Sequence, residues 1–164
     1  MEVALLAVRL LTKALPASKA YPADITARMN AQIGVWQSME HNRQAVSMGA
    51  SHGIGHVLGG TCDVPHGYTS CIMLPTVLRY NEPANAARQT LVATAMGRPN
   101  DRPCDVVGDF IAGLGMPRSL SAVGVGPDLF DRIAEASLLD HYLHTNPRAI
   151  HSKEDILELL RMAS

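Results

Sequence analysis

The sequence predicts an all-α fold, a bundle of about eight helices. Apolar residues recur at three- and four-residue spacing along most of the chain, and no period-two alternation of convincing length appears. Aromatic residues make up only 4%, so Leu, Ala, Val, Ile and eight Met must fill the interior. A core of that kind suits packed helices better than a sheet. Apolar content of 47% against 18% charged describes a folded chain. Its 164 residues suffice for one domain with a core, or for a large piece of a two-domain protein. The expectation is a single helical domain over residues 1–164.

The elements follow in order. Residues 2–15 place Val3, Leu6, Leu10 and Leu11 on one face, and Pro16 is expected to stop that helix. Asp24 can cap a second helix running from Ile25 to Arg43, in which Ile25, Met29, Ile33, Trp36 and Met39 recur at helical spacing. Gly34 costs helical stability there, and it allows a close helix contact. Met48-Gly49-Ala50 leads into a histidine-bearing helix that Gly59-Gly60 should end. Tyr68 to Tyr80 is apolar, with Pro75 expected to kink it, and Asn81-Glu82-Pro83 opens another helix from Ala84 to Met96. A loop over 97–103 precedes a helix at 104–114. Leu120 and Val123 anchor the next stretch, Pro127-Asp128 opens a helix to Leu139, and Ser152 caps the last. Ile156, Leu159 and Leu160 lie on that helix's buried side.

Net charge is −1 with scattered basic residues, which leaves no electrostatic footprint for nucleic acid or an anionic membrane. No window approaches the length of a membrane span. Cys62, Cys71 and Cys104 are odd in number and lack C-x-x-C spacing, so neither a disulfide framework nor a zinc knuckle is indicated. The first residues lack a basic leader, and Arg9 interrupts their apolar run. A cytoplasmic protein with reduced thiols is the expectation.

Chemistry concentrates between Ser51 and Gly67, where His52, His56 and His66 fall within fifteen residues. A helix places His52 and His56 on one face, one turn apart. The turn at Pro65 brings His66 back towards them. A lone histidine is most often a satisfied polar residue, whereas imidazoles converging from a helix and a following turn suit a borderline divalent cation. Cys62 is conceivable as a thiol nucleophile, but a small buried hydrophobe is the simpler reading. The Glu that a zinc hydrolase needs after its first histidine is Gly53 here, and neither a phosphate loop after a strand nor a nucleophile elbow occurs.

These residues are familiar. His52-Gly-Ile-Gly-His56-Val-Leu-Gly-Gly, Pro65-His66-Gly67, Met73-Leu74-Pro75 and Arg79-Tyr80-Asn81 closely resemble the signature of iron-type (group III) alcohol dehydrogenases, which include maleylacetate reductases. Gly113-Leu-Gly-Met-Pro117, then Asp140 and Thr145-Asn146-Pro147-Arg148, extend the resemblance over nearly the whole chain. It implies the C-terminal helical, metal-binding domain of an NAD(P)-linked oxidoreductase acting on a small alcohol, aldehyde or oxo acid. It also implies Fe²⁺ or Zn²⁺ held by His52 and His66, and proton transfer by His56. Two more ligands, an Asp-x-x-x-His pair, and the NAD(P)-binding domain belong upstream of Met1. The separate pair Asp140 and His144 could in principle complete a site, but its position in the pattern makes it a capping or surface pair. Without its upstream partner the chain is expected to be catalytically incomplete and to self-associate through an exposed apolar face. The alternative is a non-catalytic helical module with weak metal binding or a protein-interaction role.

Overall fold

A computed structural model of the chain describes residues 2–39 and 46–164. Among the described residues there are seven α-helices, three short 3₁₀ turns and no strand, so the chain is all-α as predicted. The helices are α1 (Glu2–Ala20), α2 (Ile25–Ser38), α3 (Ala50–Cys62), α4 (His66–Ala95), α5 (Pro103–Gly113), α6 (Phe130–Ser137) and α7 (Lys153–Met162). No described helix is long and apolar enough to cross a membrane.

The chain divides into two compact units. The first comprises Met1–Ser47 and Ala87–Gly115. In it α1 and α2 form a hairpin, with Asp24 capping α2 by accepting the Ala27 N–H at 3.0 Å. Gly34 permits the close approach expected of it, because a Cβ there would lie 2.8 Å from Leu11 Cγ. Pro16 does not stop α1, which runs four residues further to Ala20. A proline in a helix forgoes one bond and opposes the carbonyl a turn back, a cost that packing can override. α2 ends at Ser38, and the remainder of its expected length, 40–43, lies outside the described residues.

The second unit comprises Met48–Ala86 and Met116–Ser164. Its core joins Ile54 and Leu58 of α3, Ile72, Met73 and Val77 of α4, Ile133 of α6, and Ile156, Leu159 and Leu160 of α7. Gly59 and Gly60 do not end α3, which continues to Cys62. The end falls at Asp63, whose left-handed backbone (φ 53°) turns the chain so that the Val64 N–H reaches the Leu58 carbonyl at 3.4 Å. A glycine in helical conformation is merely costly; it terminates a helix only where the chain actually adopts the left-handed region. α4 likewise runs past both Pro75 and Pro83, and its backbone leaves helical values at Asn85 (φ −146°, ψ 28°), two residues beyond the second proline. The break expected at residues 81–83 is therefore real but displaced. Ser152 and Asp155 form the expected capping box at the start of α7.

Candidate functional site

The histidines meet in the second unit. Ile54 and Leu58 are fully buried on one side of α3, which leaves His52 half-buried and His56 exposed on another. His66 is the first residue of α4, delivered by the Asp63–Val64–Pro65 connection, and not a loop residue as the turn chemistry suggested. The Pro65 carbonyl accepts the N–H groups of Tyr68 and Thr69 at 2.8 and 3.2 Å, which fixes that helix start. The ring centres of His52 lie 4.8 Å from His56 and 5.2 Å from His66, both edge-on, while His56 and His66 are 6.2 Å apart.

Asp140, half of a capping or surface pair in the sequence reading, and Tyr142, which that reading did not single out, close the site. Asp140 follows α6, and its Oδ2 accepts a hydrogen bond from His56 Nδ1 at 2.9 Å. Its Oδ1 accepts the Tyr142 N–H at 2.9 Å, so the backbone of its own turn holds the carboxylate. With its side chain 14% exposed, Asp140 is no surface residue. His144 is exposed, and the Asp140–His144 pairing does not describe this turn. Burial opposes ionisation of Asp140, but the bonds from His56 and Tyr142, with the charges of His56 and His141, outweigh it and hold the carboxyl below its ordinary value. The Tyr142 ring lies 5.7 Å from His52 and 5.6 Å from His56.

The glycines between the histidines explain this closeness. A Cβ on Gly53 would stand 2.2 Å from Leu143 Cδ1 and 3.1 Å from Asp140 Oδ1. One on Gly55 would stand 2.9 Å from Thr69 Oγ1 of α4. Both helical costs are offset by bringing the Asp140 turn and α4 against the histidine face. Behind the site, Asn146 accepts the Ala50 N–H at 3.2 Å, capping α3 across the fold where Gly49 has no side chain to do so. Asn146 and Asn81 exchange amide hydrogen bonds of 2.7 and 3.2 Å, and Asn146 Nδ2 also donates to the Arg148 carbonyl at 2.7 Å. The Arg148 guanidinium covers the Tyr80 ring at 3.8 Å. The Arg79-Tyr80-Asn81 and Asn146-Pro147-Arg148 segments are thus two halves of one buried clasp.

Among the described residues no group of three or more His, Cys, Asp or Glu side chains is arranged to hold a metal ion. The histidine pair nevertheless suits part of such a site. Two imidazoles bound at ~2.1 Å to one tetrahedral ion place their ring centres ~5 Å apart. His52 meets that condition with both His66, at 5.2 Å, and His56, at 4.8 Å, whereas His56 and His66, at 6.2 Å, are too far apart to share one ion. Cys62 is packed against the core, and burial raises its thiol pKa, with the Arg132 charge opposing and the Asp63 charge adding. The thiol is half-buried, not fully buried as the simpler reading had it.

The family model for the Fe-containing alcohol dehydrogenase family, C-terminal, matches residues 2–164. The chain belongs to this family. It is 35% identical over 150 residues to maleylacetate reductase 1 of Cupriavidus pinatubonensis, covering 90% of this chain and 40% of that protein. It is 32% identical over 170 residues to the 1,3-propanediol dehydrogenase of Citrobacter freundii, covering 98% and 43%. The crystal structure of a maleylacetate reductase from Agrobacterium tumefaciens superposes with a TM-score of 0.83 at 34% identity, over 99% of this chain and 44% of that one. The chain therefore spans about two fifths of the length of the relatives it matches.

Proposed function

We propose that this iron-type alcohol dehydrogenase family chain supplies the metal-holding wall and the proton relay of an NAD(P)-linked oxidoreductase acting on a small alcohol, aldehyde or oxo acid. The observation that carries this reading is the division of labour among three histidines. His52 and His66 are spaced for one cation and stand at the two ligand positions of the family pattern, while His56, 6.2 Å from His66 and too far to share that ion with it, holds Asp140 through Nδ1. His52 and His66 would hold the metal, as two ligands of a set completed from outside the described residues. When bound, Fe²⁺ or Zn²⁺ supplies Lewis acidity at the substrate oxygen, and NAD(P), on a nucleotide-binding domain in the same chain or a separate one, supplies or takes the hydride. His56 takes up or returns the hydroxyl proton at Nε2, an imidazole's ordinary task near neutral pH. The maleylacetate reductases and 1,3-propanediol dehydrogenase among the relatives support two substrate classes, an unsaturated oxo acid and a small diol.

The test joins this chain to the N-terminal portion of the Cupriavidus pinatubonensis maleylacetate reductase, or that of the Citrobacter freundii enzyme, in place of the matched region. The loaded chimera should oxidise or reduce the corresponding substrate with NAD(H) or NADP(H). His56→Ala should lower turnover by roughly 10²–10⁴-fold while metal content stays nearly intact. Loss of metal in parallel with activity would make His56 a ligand instead. A chimera that folds and loads metal but shows no turnover with either substrate class would favour the second reading, a non-catalytic helical module. That reading draws on the lack of a three-ligand cluster among the described residues.

A further inference from the structure

We infer that Asp140 is a positioning residue that fixes His56 in the Nδ1–H tautomer and leaves Nε2 as the basic atom of that ring. The consequence for proton transfer rests on the relay proposed above; the tautomer itself does not. An ionised carboxylate has no proton to give, so the 2.9 Å contact between Asp140 Oδ2 and His56 Nδ1 requires Nδ1 to be the donor. The carboxylate cannot turn away, because Oδ1 is held by the Tyr142 N–H at 2.9 Å. That N–H belongs to a turn closed by Leu143 N–H to Asp140 carbonyl and Asp140 N–H to Ser137 carbonyl bonds of 3.1 and 2.9 Å. Leu143 is itself buried in the core at 1% exposure, packed where Gly53 leaves room for it. The orientation of His56 is thus set from the core outward: Leu143 seats the turn, the turn aims Asp140, and Asp140 aims the ring.

The consequence is chemical. An unconstrained neutral imidazole interconverts its two tautomers, and only one offers a lone pair at Nε2. Fixing the proton on Nδ1 makes every neutral His56 competent at Nε2, and the carboxylate stabilises the imidazolium that forms once Nε2 takes a proton. The His56 side chain is 41% exposed, so the ring is open to a substrate.

Asp140→Asn separates positioning from packing. The Tyr142 N–H still demands an acceptor, so the amide places its oxygen there and turns its NH₂ towards His56. Nδ1 must then accept, and the ring proton moves to Nε2. The probe is the ¹⁵N-labelled chain itself, with the imidazole nitrogens assigned by long-range proton–nitrogen correlation at about pH 8, where an ordinary imidazole is neutral. The native chain should show a protonated Nδ1 and a bare Nε2 for His56, and Asp140→Asn should show the reverse at an unchanged urea midpoint. A native His56 protonated at Nε2, or a tautomer insensitive to Asp140→Asn, would overturn the inference. The native spectrum decides even if the variant does not fold. In the chimera above, Asp140→Asn should lower kcat roughly 10²-fold with KM little changed. An inverted tautomer with undiminished kcat would defeat the relay reading while leaving the positioning role intact.

Discussion

Replacing Asn146 by alanine should cost the second unit about 2–5 kcal/mol, and the reasoning is open to a direct check. Its amide makes four hydrogen bonds. The oxygen takes the Ala50 N–H and Asn81 Nδ2, and the nitrogen serves Asn81 Oδ1 and the Arg148 carbonyl. Asn81 and Asn146 are 5% and 8% exposed, so the groups stranded by truncation have little access to solvent. A made hydrogen bond contributes only about 0.5–1.5 kcal/mol net, but a buried group left without a partner costs about 1–3. Truncation strands Asn81 Nδ2 and the Ala50 N–H, while Asn81 Oδ1 keeps the Arg148 N–H at 3.3 Å, which holds the loss within the range stated. Urea unfolding followed by far-ultraviolet circular dichroism reads it, and a shift of melting temperature by roughly 4–20 °C should accompany it. Asn81→Ala breaks the same clasp from the other side, so the double variant should cost less than the sum of the singles, by about 0.5–3 kcal/mol. A loss below about 1 kcal/mol for Asn146→Ala, or strict additivity in the pair, would refute the account of the two motifs as one clasp.

Other expectations follow from the same geometry. Zn²⁺ titrated into the chain by calorimetry should bind with an affinity that drops strongly in His52→Ala and His66→Ala. His144→Ala should change it little; the reverse pattern would move coordination to the C-terminal turn. Asp155 gives a pH dependence of stability. Its carboxylate is held below its usual value first by the His151 N–H, against the opposing effect of burial, and then by the Ser152 hydroxyl and N–H. A depressed folded pKa adds stability that is fully present above the unfolded value of about 3.9 and is lost as pH falls through the folded value. Acid unfolding of Asp155→Asn should therefore start from a lower plateau and lack that part of the slope. Finally, Ile25, Met29 and Trp36 of α2 are 78%, 55% and 76% exposed, and Arg28 is the one ionisable side chain between Ile25 and Met39. Two copies meeting there bring only Arg28 as a like charge against this apolar surface, so sedimentation should show self-association that Trp36→Ser weakens; a monomer at high concentration would exclude it.

The fold class was legible because helical period, punctuation and the shortage of aromatics all agree. Helix ends were less so, and for one reason. Pro16, Gly59, Gly60 and Pro75 are signals of local cost, and a packed helix absorbs a local cost of a kilocalorie or so when burial on either side exceeds it. Asp63 ends α3 instead, in a left-handed conformation that nothing in its neighbourhood announced. The convergence of His52, His56 and His66 could be read from spacing alone, since every step from Ser51 to Gly67 is local.

Asp140 could not be read that way. Its partner His56 lies 84 residues away in sequence, and its own neighbours recommend it as a cap, which it also is. The one local trace of the pairing is Gly53. A glycine in the middle of a helix costs about 1 kcal/mol relative to alanine. One between two histidines a turn apart therefore asks what approaches the helix so closely. The answer is the Leu143 side chain and the Asp140 carboxylate, at 2.2 and 3.1 Å from where a Cβ would be. Gly53→Ala should gain helix propensity yet lose stability, because Leu143 is 1% exposed and its displaced methyl would press on a packed core. The new Cβ would also stand 3.1 Å from Asp140 Oδ1, so the variant should loosen the carboxylate's hold on the His56 tautomer while keeping every titrating group in place. A glycine that costs a helix stability is, on this reading, the sequence-level record of a long-range contact that no motif spells out.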